Sequence, residues 1–485
     1  MSAPTPAART GGAGGIVGVL ALAGIVAALM QTLVVPLIGD LPALLHTSPS
    51  DASWVITATL LAAAVATPVA GRLGDMYGKR RLLLASTVPL IAGSVVCALS
   101  GSVVPMVVGR GLQGLGMGVV PLGISLLRDV LPPERLGSSI ALMSASMGVG
   151  GALGLPFSAA VAEHASWRVL FWVAAALSLV VGVLVWLVAP AGNVAPAAGR
   201  FDLPGALGLG GGLVALLLAV SKGSVWGWGS ATTLGLFGTS AVVLLAWGWW
   251  ELRTRDPLVD LRVTARPQVL MTNAASILVG FAMYAQSLVV PQLLQLPEAT
   301  GYGLGQSMMA MGLWMAPAGL MMMVLAPLGA KLSAARGPKV TLSVGSFVIA
   351  VGYLSSLLLM GTTWGLLIVT LICNTGVGLA YGAMPALIMG AVPQAETASA
   401  NSFNTLMRSI GSSVSAAVIG VVLAQLTTDF GGHALPSESG FRIALLIGGG
   451  VALAASAVAA LIPVRPAAAP VAEPRPAPAA DATTA

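Results

Sequence analysis

Chemistry in this sequence is confined to few side chains. Its 485 residues hold 16 Asp and Glu, 22 Lys and Arg, 3 His and 2 Cys. The densest polar group is Gly71-Arg72-Leu73-Gly74-Asp75-Met76-Tyr77-Gly78-Lys79-Arg80-Arg81, where one acid stands among glycines and cations. A carboxylate so placed can accept from the free backbone N–H groups at a helix start and meet that helix's positive end. Gly71, Gly74 and Gly78 allow a tight turn and a close helix approach. The stretch reads as a turn between two long apolar runs, set at one face of a membrane. Cations alone would mark such a boundary, so Asp75 points to a conformational role, with Lys79 and Arg80 beside it.

A second group is Arg110-Gly111-Leu112-Gln113-Gly114, inside an apolar run. An arginine at such a depth costs about 2.5–3.5 kcal/mol. Two roles fit it: a lock satisfied by backbone carbonyls, or a cation lining a cavity and tuning a nearby proton site. A third group, Gly148 to Pro156, offers Gly150 and Gly154 for close packing and Pro156 for a kink. Cys97 and Cys373 lie in apolar runs and read as buried thiols. His46, His164 and His433 fall in predicted outer connections far apart, so no metal centre is expected. No phosphate-cradling glycine loop ending in Lys-Ser/Thr is present, which excludes ATP as the energy source. No acid falls in the middle of a predicted span, although proton relays normally use one there. Asp40, Glu163 and Glu298 at outer span ends, with His164 beside Glu163, are the remaining proton candidates.

The elements that must position these groups are membrane spans. The chain is 57% hydrophobic and 8% charged, against about 25% charged for soluble domains. A span needs about 20 apolar residues. Fourteen are predicted, over 16–37, 54–70, 82–100, 104–127, 139–162, 169–190, 204–221, 231–250, 269–294, 308–329, 340–360, 365–390, 410–427 and 443–464. The even-numbered connections and the tails hold 18 of the 22 cations and the odd ones hold 3 (Arg168, Lys222 and Arg442), with Arg110 inside a span. That bias predicts both termini inside. It also assigns the basic pI to topology, with no role for nucleic acid. Residues 330–339 align without a gap on 71–80, pairing Leu332 with Leu73 and Gly337 with Gly78. Leu131-Pro132-Pro133-Glu134 before span five is echoed by Val392-Pro393-Gln394-Ala395-Glu396 before span thirteen. Two halves of six spans follow, with spans seven and eight inserted.

The first group resembles the loop 2–3 signature of the major facilitator superfamily, Gly-x-Leu-Gly-Asp-x-x-Gly-Lys-Arg-Arg, with every position filled. Arg110 with Gln113-Gly114 resembles that superfamily's fourth-span motif. Gly150, Gly154 and Pro156 resemble its fifth-span antiporter motif, with the proline displaced by one and Ser158-Ala159 in place of the final glycines. With fourteen spans, the chain is similar to the drug:proton antiporter-2 type. That type carries Asp-x-Thr in span one, where Met30-Gln31-Thr32 stands here. The resemblance covers roughly residues 15–465. It implies an all-α polytopic fold of two six-helix bundles plus two extra helices. It also implies alternating-access export of amphipathic small molecules, driven by an ion gradient, protons in that type, with no cofactor.

The expected organisation is a cytoplasmic segment 1–15, a bundle 16–190, an inserted pair 204–250, a bundle 269–464 and a disordered cytoplasmic tail 465–485. The expected setting is a monomer in the plasma membrane. Expected cavity residues are Gln31, Thr32, Asn273, Tyr284, Gln286, Asn374 and Tyr381, with Met311, Trp314 and Met315 sharing one side of span ten. A dedicated exporter of one metabolite and a non-transporting scaffold or sensor are the alternatives.

Overall fold

The structure, a computed structural model, describes residues 12–34, 37, 40–190, 199–430 and 433–463. The first eleven residues and the tail expected over 465–485 lie outside the described residues. Among the described residues, 14 helices are long and apolar enough to cross a membrane. Their order is Gly12–Thr32, Trp54–Tyr77, Lys79–Leu99, a broken fourth span, Pro133–His164, Arg168–Val188, Leu203–Trp226, Ala231–Glu251, Pro267–Gln295, Met308–Arg336, Pro338–Leu359, Thr363–Met389, Thr397–Gln425 and Glu438–Ala460. The chain is therefore a multi-pass membrane protein. The fourth span runs as Val103–Leu115, a single 3-10 turn Gly116–Gly118, then Val119–Val130. Gly116 packs so closely on span three that a Cβ would lie 2.6 Å from the Ser86 carbonyl oxygen.

Each half has its own apolar core. One is built on Leu20, Met30, Leu83, Leu122 and Phe171. The other is built on Val289, Ile349, Tyr353, Met384 and Phe441. Spans seven and eight pack on each other, and span seven also packs on spans two and thirteen. Leu209, Leu213 and Leu217 of span seven join Ala64 of span two and Phe403 and Leu406 of span thirteen in a third apolar cluster. The inserted pair thus rests on both halves. Span eight presents Leu234, Val242, Leu245 and Trp249 outward, as a lipid-facing helix would.

Four expectations are corrected. The Gly71–Arg81 stretch is no extended turn, because Gly71 to Tyr77 continue span two and Lys79 begins span three. Gly78 makes the whole connection, at φ 98°, and Gly337 makes the matching connection in the second half at φ 86°. A positive φ is open to glycine at little cost, so the pairing of these two residues in the sequence reflects one shared backbone geometry. Span thirteen begins at Thr397 rather than 410, which places Arg408 inside it. Lys222 likewise lies within span seven, its ammonium 4.5 Å from the Trp54 ring centroid. His164 is the last residue of span five. In this helical fold a short two-stranded pairing lies between spans thirteen and fourteen: β1 (Thr427–Phe430) and β2 (His433–Pro436) run antiparallel, with Thr427 opposite Pro436.

Candidate functional site

The expected conformational group sits where the two halves meet. Asp75, in the last turn of span two, accepts from the backbone N–H of Ala398 at 3.1 Å and of Ser399 at 2.8 Å. Those are the second and third residues of span thirteen, whose own N-cap, Glu396, makes no side-chain cap. A helix start leaves several N–H groups unpaired and carries partial positive charge. Asp75 caps that start from the opposite half of the molecule. Lys79 adds a second tie. Its Nζ donates to Asp129 Oδ2 at 2.7 Å within the first half and to Thr397 Oγ1 at 2.8 Å across the junction. Arg128 reaches the Val392 carbonyl, also across the junction, at 3.5 Å. Arg80 turns away and donates to the Trp186 carbonyl at 2.7 Å.

Glycine makes this approach possible. A Cβ on Gly71 would lie 2.7 Å from the Ala398 carbonyl oxygen and closer still to Ser402. A Cβ on Gly74 would collide with Leu122. Gly71 and Gly74 therefore fit spans two, four and thirteen together, while Gly78 alone of the three forms the turn.

The fifth-span motif is used on two faces. Gly150 and Gly154, one turn apart, face span one: their Cβ atoms would strike the Ile25 carbonyl and Thr32. Gly148, Ala152 and Pro156 face span ten. There Gly319 lies so close that a Cβ would be 2.4 Å from the Gly148 carbonyl, and Gly312 abuts Pro156. Spacing of four residues keeps each set on one side of the helix. Span five is thus cemented to its own half by one set and touches the other half by the second.

Arg110 is sealed, only 1% exposed. It donates to the carbonyls of Val55 at 3.1 Å and Met30 at 2.9 Å, and to Gln113 Oε1 at 2.7 Å. Gln113 in turn donates to Ser94 at 2.8 Å. The arginine joins spans one, two and four, and Gln113 extends the network to span three. Of the two roles open to it, the geometry is that of the lock.

The expected cavity residues are mostly dispersed. Thr32 bonds its own helix and abuts Gly154. Gln31 is exposed and reaches Met117 Sδ. Asn374 bonds within its own helix. Met311, Trp314 and Met315 join the second core. Trp314 stacks edge-on against Trp364, itself 67% exposed, so it lies toward the outside of the bundle. Gln286 is buried and Tyr284 half-buried, within span nine. Asn273 accepts from Asn404 at 2.8 Å inside the second half. Tyr381 lines a small cavity between the halves, about 10 Å³, beside Ser144, Asn401, Thr405 and Arg408, and Asn273 lines a larger one, about 250 Å³, with Arg72, Ser399 and Phe403. Arg408 lies over the Tyr381 ring, 4.4 Å from its centroid.

Comparison with known proteins adds to this geometry. The family model described as Major Facilitator Superfamily matches residues 20–416. The chain belongs to that superfamily. An uncharacterized MFS-type transporter of Mycobacterium tuberculosis is 30% identical over 420 residues, 85% of this chain and 60% of that protein. This chain therefore spans less than two thirds of that relative's length. A tetracenomycin C resistance and export protein of Streptomyces glaucescens is 28% identical over 402 residues, 79% of this chain and 71% of that one. Among solved structures, the human organic anion transporter MFSD10 superposes with a TM-score of 0.64 at 14% identity, covering 92% of this chain and 99% of that one. At that identity the likeness is one of fold.

Proposed function

We propose that this chain exports amphipathic small molecules, drugs or antibiotics, by alternating access driven by an ion gradient. The observation that carries the reading is the clasp of Asp75 on the start of span thirteen. It holds two separately cored halves together through two hydrogen bonds and one lysine, a joint that can break without unfolding either half. The halves also touch through glycine-lined faces of spans five and ten, which suit rocking of rigid bundles. The clasp face is the cytoplasmic one, both termini lie there, and the protein works as a monomer in the inner membrane. The bundles are 16–190 and 269–464, with 204–250 inserted between them. Protons are the proposed coupling ion.

The tetracenomycin-named relative supports export as the direction. It also favours a second reading, in which the chain exports a single metabolite. A toxic-compound panel on an efflux-deficient host expressing the chain separates the two. Broad resistance is expected; resistance to one compound selects the second reading, and none at all overturns export. An ionophore that collapses the pH gradient should stop efflux from loaded cells, whereas continued uphill efflux assigns another ion.

A further inference from the structure

Span thirteen carries a second intramembrane arginine, and it is held very differently from Arg110. Arg408 lies eleven residues in from Thr397, roughly 16 Å along the axis at about 1.5 Å per residue. It is 8% exposed. Its recorded partners are the Thr405 hydroxyl at 3.5 Å and the face of Tyr381. Neither ion pair among the described residues includes it. A guanidinium offers five N–H donors, and a charge at this depth is retained only against a strong interaction. Arg110 has three oxygen acceptors from its own chain. Arg408 has no such set.

The neighbouring cavity has the complementary polar groups. Asn401, Thr405 and Arg408 fall on one face of span thirteen at spacings of four and three residues. Ser144 faces them from span five in the other half. Ser144 Oγ and Asn401 Oδ1 are both buried without a partner, while Asn401 Nδ2 is already committed to Ser125 at 3.2 Å. Buried polar atoms of this kind are rare and call for a partner. Val120 and Ile124 of span four and the Tyr381 ring supply apolar walls. With the halves clasped, the space suffices for about one water.

We propose that Arg408 anchors the anionic group of an aromatic hydroxy acid in transit. The guanidinium pairs with a carboxylate, sulfonate or phenolate, the Tyr381 ring and Val120 flank the aromatic plane, and Ser144 Oγ and Asn401 Oδ1 take a neighbouring hydroxyl. The inference rests on the export reading above and specifies its substrate class. Both halves contribute to the site, so its occupancy is coupled to their separation. A cationic ligand would meet like charge there.

The test uses two xanthene dyes of similar shape and opposite charge, fluorescein and rhodamine 123. They are titrated by fluorescence anisotropy against the full chain in lipid nanodiscs. The wild type is expected to bind fluorescein at least tenfold more tightly than rhodamine 123. Arg408→Gln should lose at least tenfold on fluorescein and nothing on rhodamine 123. Should Arg408→Gln fail to fold, Arg408→Lys decides, since it keeps the charge but loses the fork; a loss of at least threefold confined to fluorescein is expected. Ser144→Ala should weaken fluorescein severalfold. Equal binding of the two dyes, binding of neither, or equal weakening of both by the Arg408 variants overturns the anion site. Failure here alongside resistance to neutral compounds in the efflux-deficient host leaves export standing. Arg408-dependent fluorescein binding without any efflux overturns the export reading instead.

Discussion

Asp75→Asn isolates the clasp, because it removes the charge and keeps the volume. The two Asp75 oxygens each accept a backbone N–H of span thirteen, at 3.1 and 2.8 Å. An amide can accept from one of these and must turn its own NH2 toward the other. A hydrogen bond to a charged group contributes about 1.5–3 kcal/mol, and a charge at a helix end contributes about 0.3–1 kcal/mol, up to 2 where partly buried. Losing one bond and the helix-end interaction weakens closure by about 2–4 kcal/mol. That shifts the closed-to-open ratio roughly 30- to 700-fold. Ser402→Cys provides the readout. Its side chain faces Gly71 and is fully buried in the clasped form, while the native Cys97 and Cys373 are buried within the halves. The rate of maleimide labelling at position 402 should rise with the open fraction when Asp75→Asn is added. An unchanged rate, with the protein folded and inserted, would refute the clasp.

Gly71→Ala places a methyl against the Ala398 carbonyl, 2.7 Å away; labelling at Ser402→Cys should rise as it does for Asp75→Asn, and export should fall at normal expression. Lys79→Ala leaves Asp129 buried without its 2.7 Å ion pair, a loss on the order of 3–5 kcal/mol, and Asp129→Ala in the same chain should restore part of it in a double-mutant cycle of thermal stability. Arg110→Ala removes the arginine donor from Met30 O and Gln113 Oε1, and one donor from Val55 O, which keeps the Thr59 hydroxyl. At about 1–3 kcal/mol for each buried group left unsatisfied, the thermal midpoint of purified protein should drop markedly, and a midpoint equal to wild type would remove the lock.

The clasp was readable in the sequence because its chemistry needs particular residue types close together. An acid with glycines at Gly71 and Gly74 serves no topological purpose, and its partner, a helix N-terminus, needs no special side chain. For the same reason the partner itself, Ala398 and Ser399, could not be named. Gly337 aligns with Gly78 in the sequence, and both take positive φ. Arg408 reads as a loop residue in the sequence for a physical reason. Residues 397–408 are rich in Thr, Ser and Asn, and hydropathy assigns such a stretch to a loop. Its polar face is buried between helices, not in water. The spacing of Asn401, Thr405 and Arg408 was the available signal, a polar stripe of helical period. The β1–β2 pairing had a short signal too, Gly431-Gly432 between two brief runs, a dipeptide common in hairpins. The cavity residues scattered because polar side chains such as Thr32 and Asn374 can satisfy themselves on their own helix, and nothing in a single sequence distinguishes that from a site.

Export coupled to opening of the clasp is tested most directly by transport itself. The full chain is reconstituted in proteoliposomes with a fluorescent amphiphile inside and outside at equal concentration, and a pH gradient is imposed. Wild type should concentrate the amphiphile on one side and lose that ability when an ionophore collapses the gradient, while Asp75→Asn should leave it evenly distributed. Equal distribution with wild type, or accumulation by Asp75→Asn at the wild-type rate, would contradict the account.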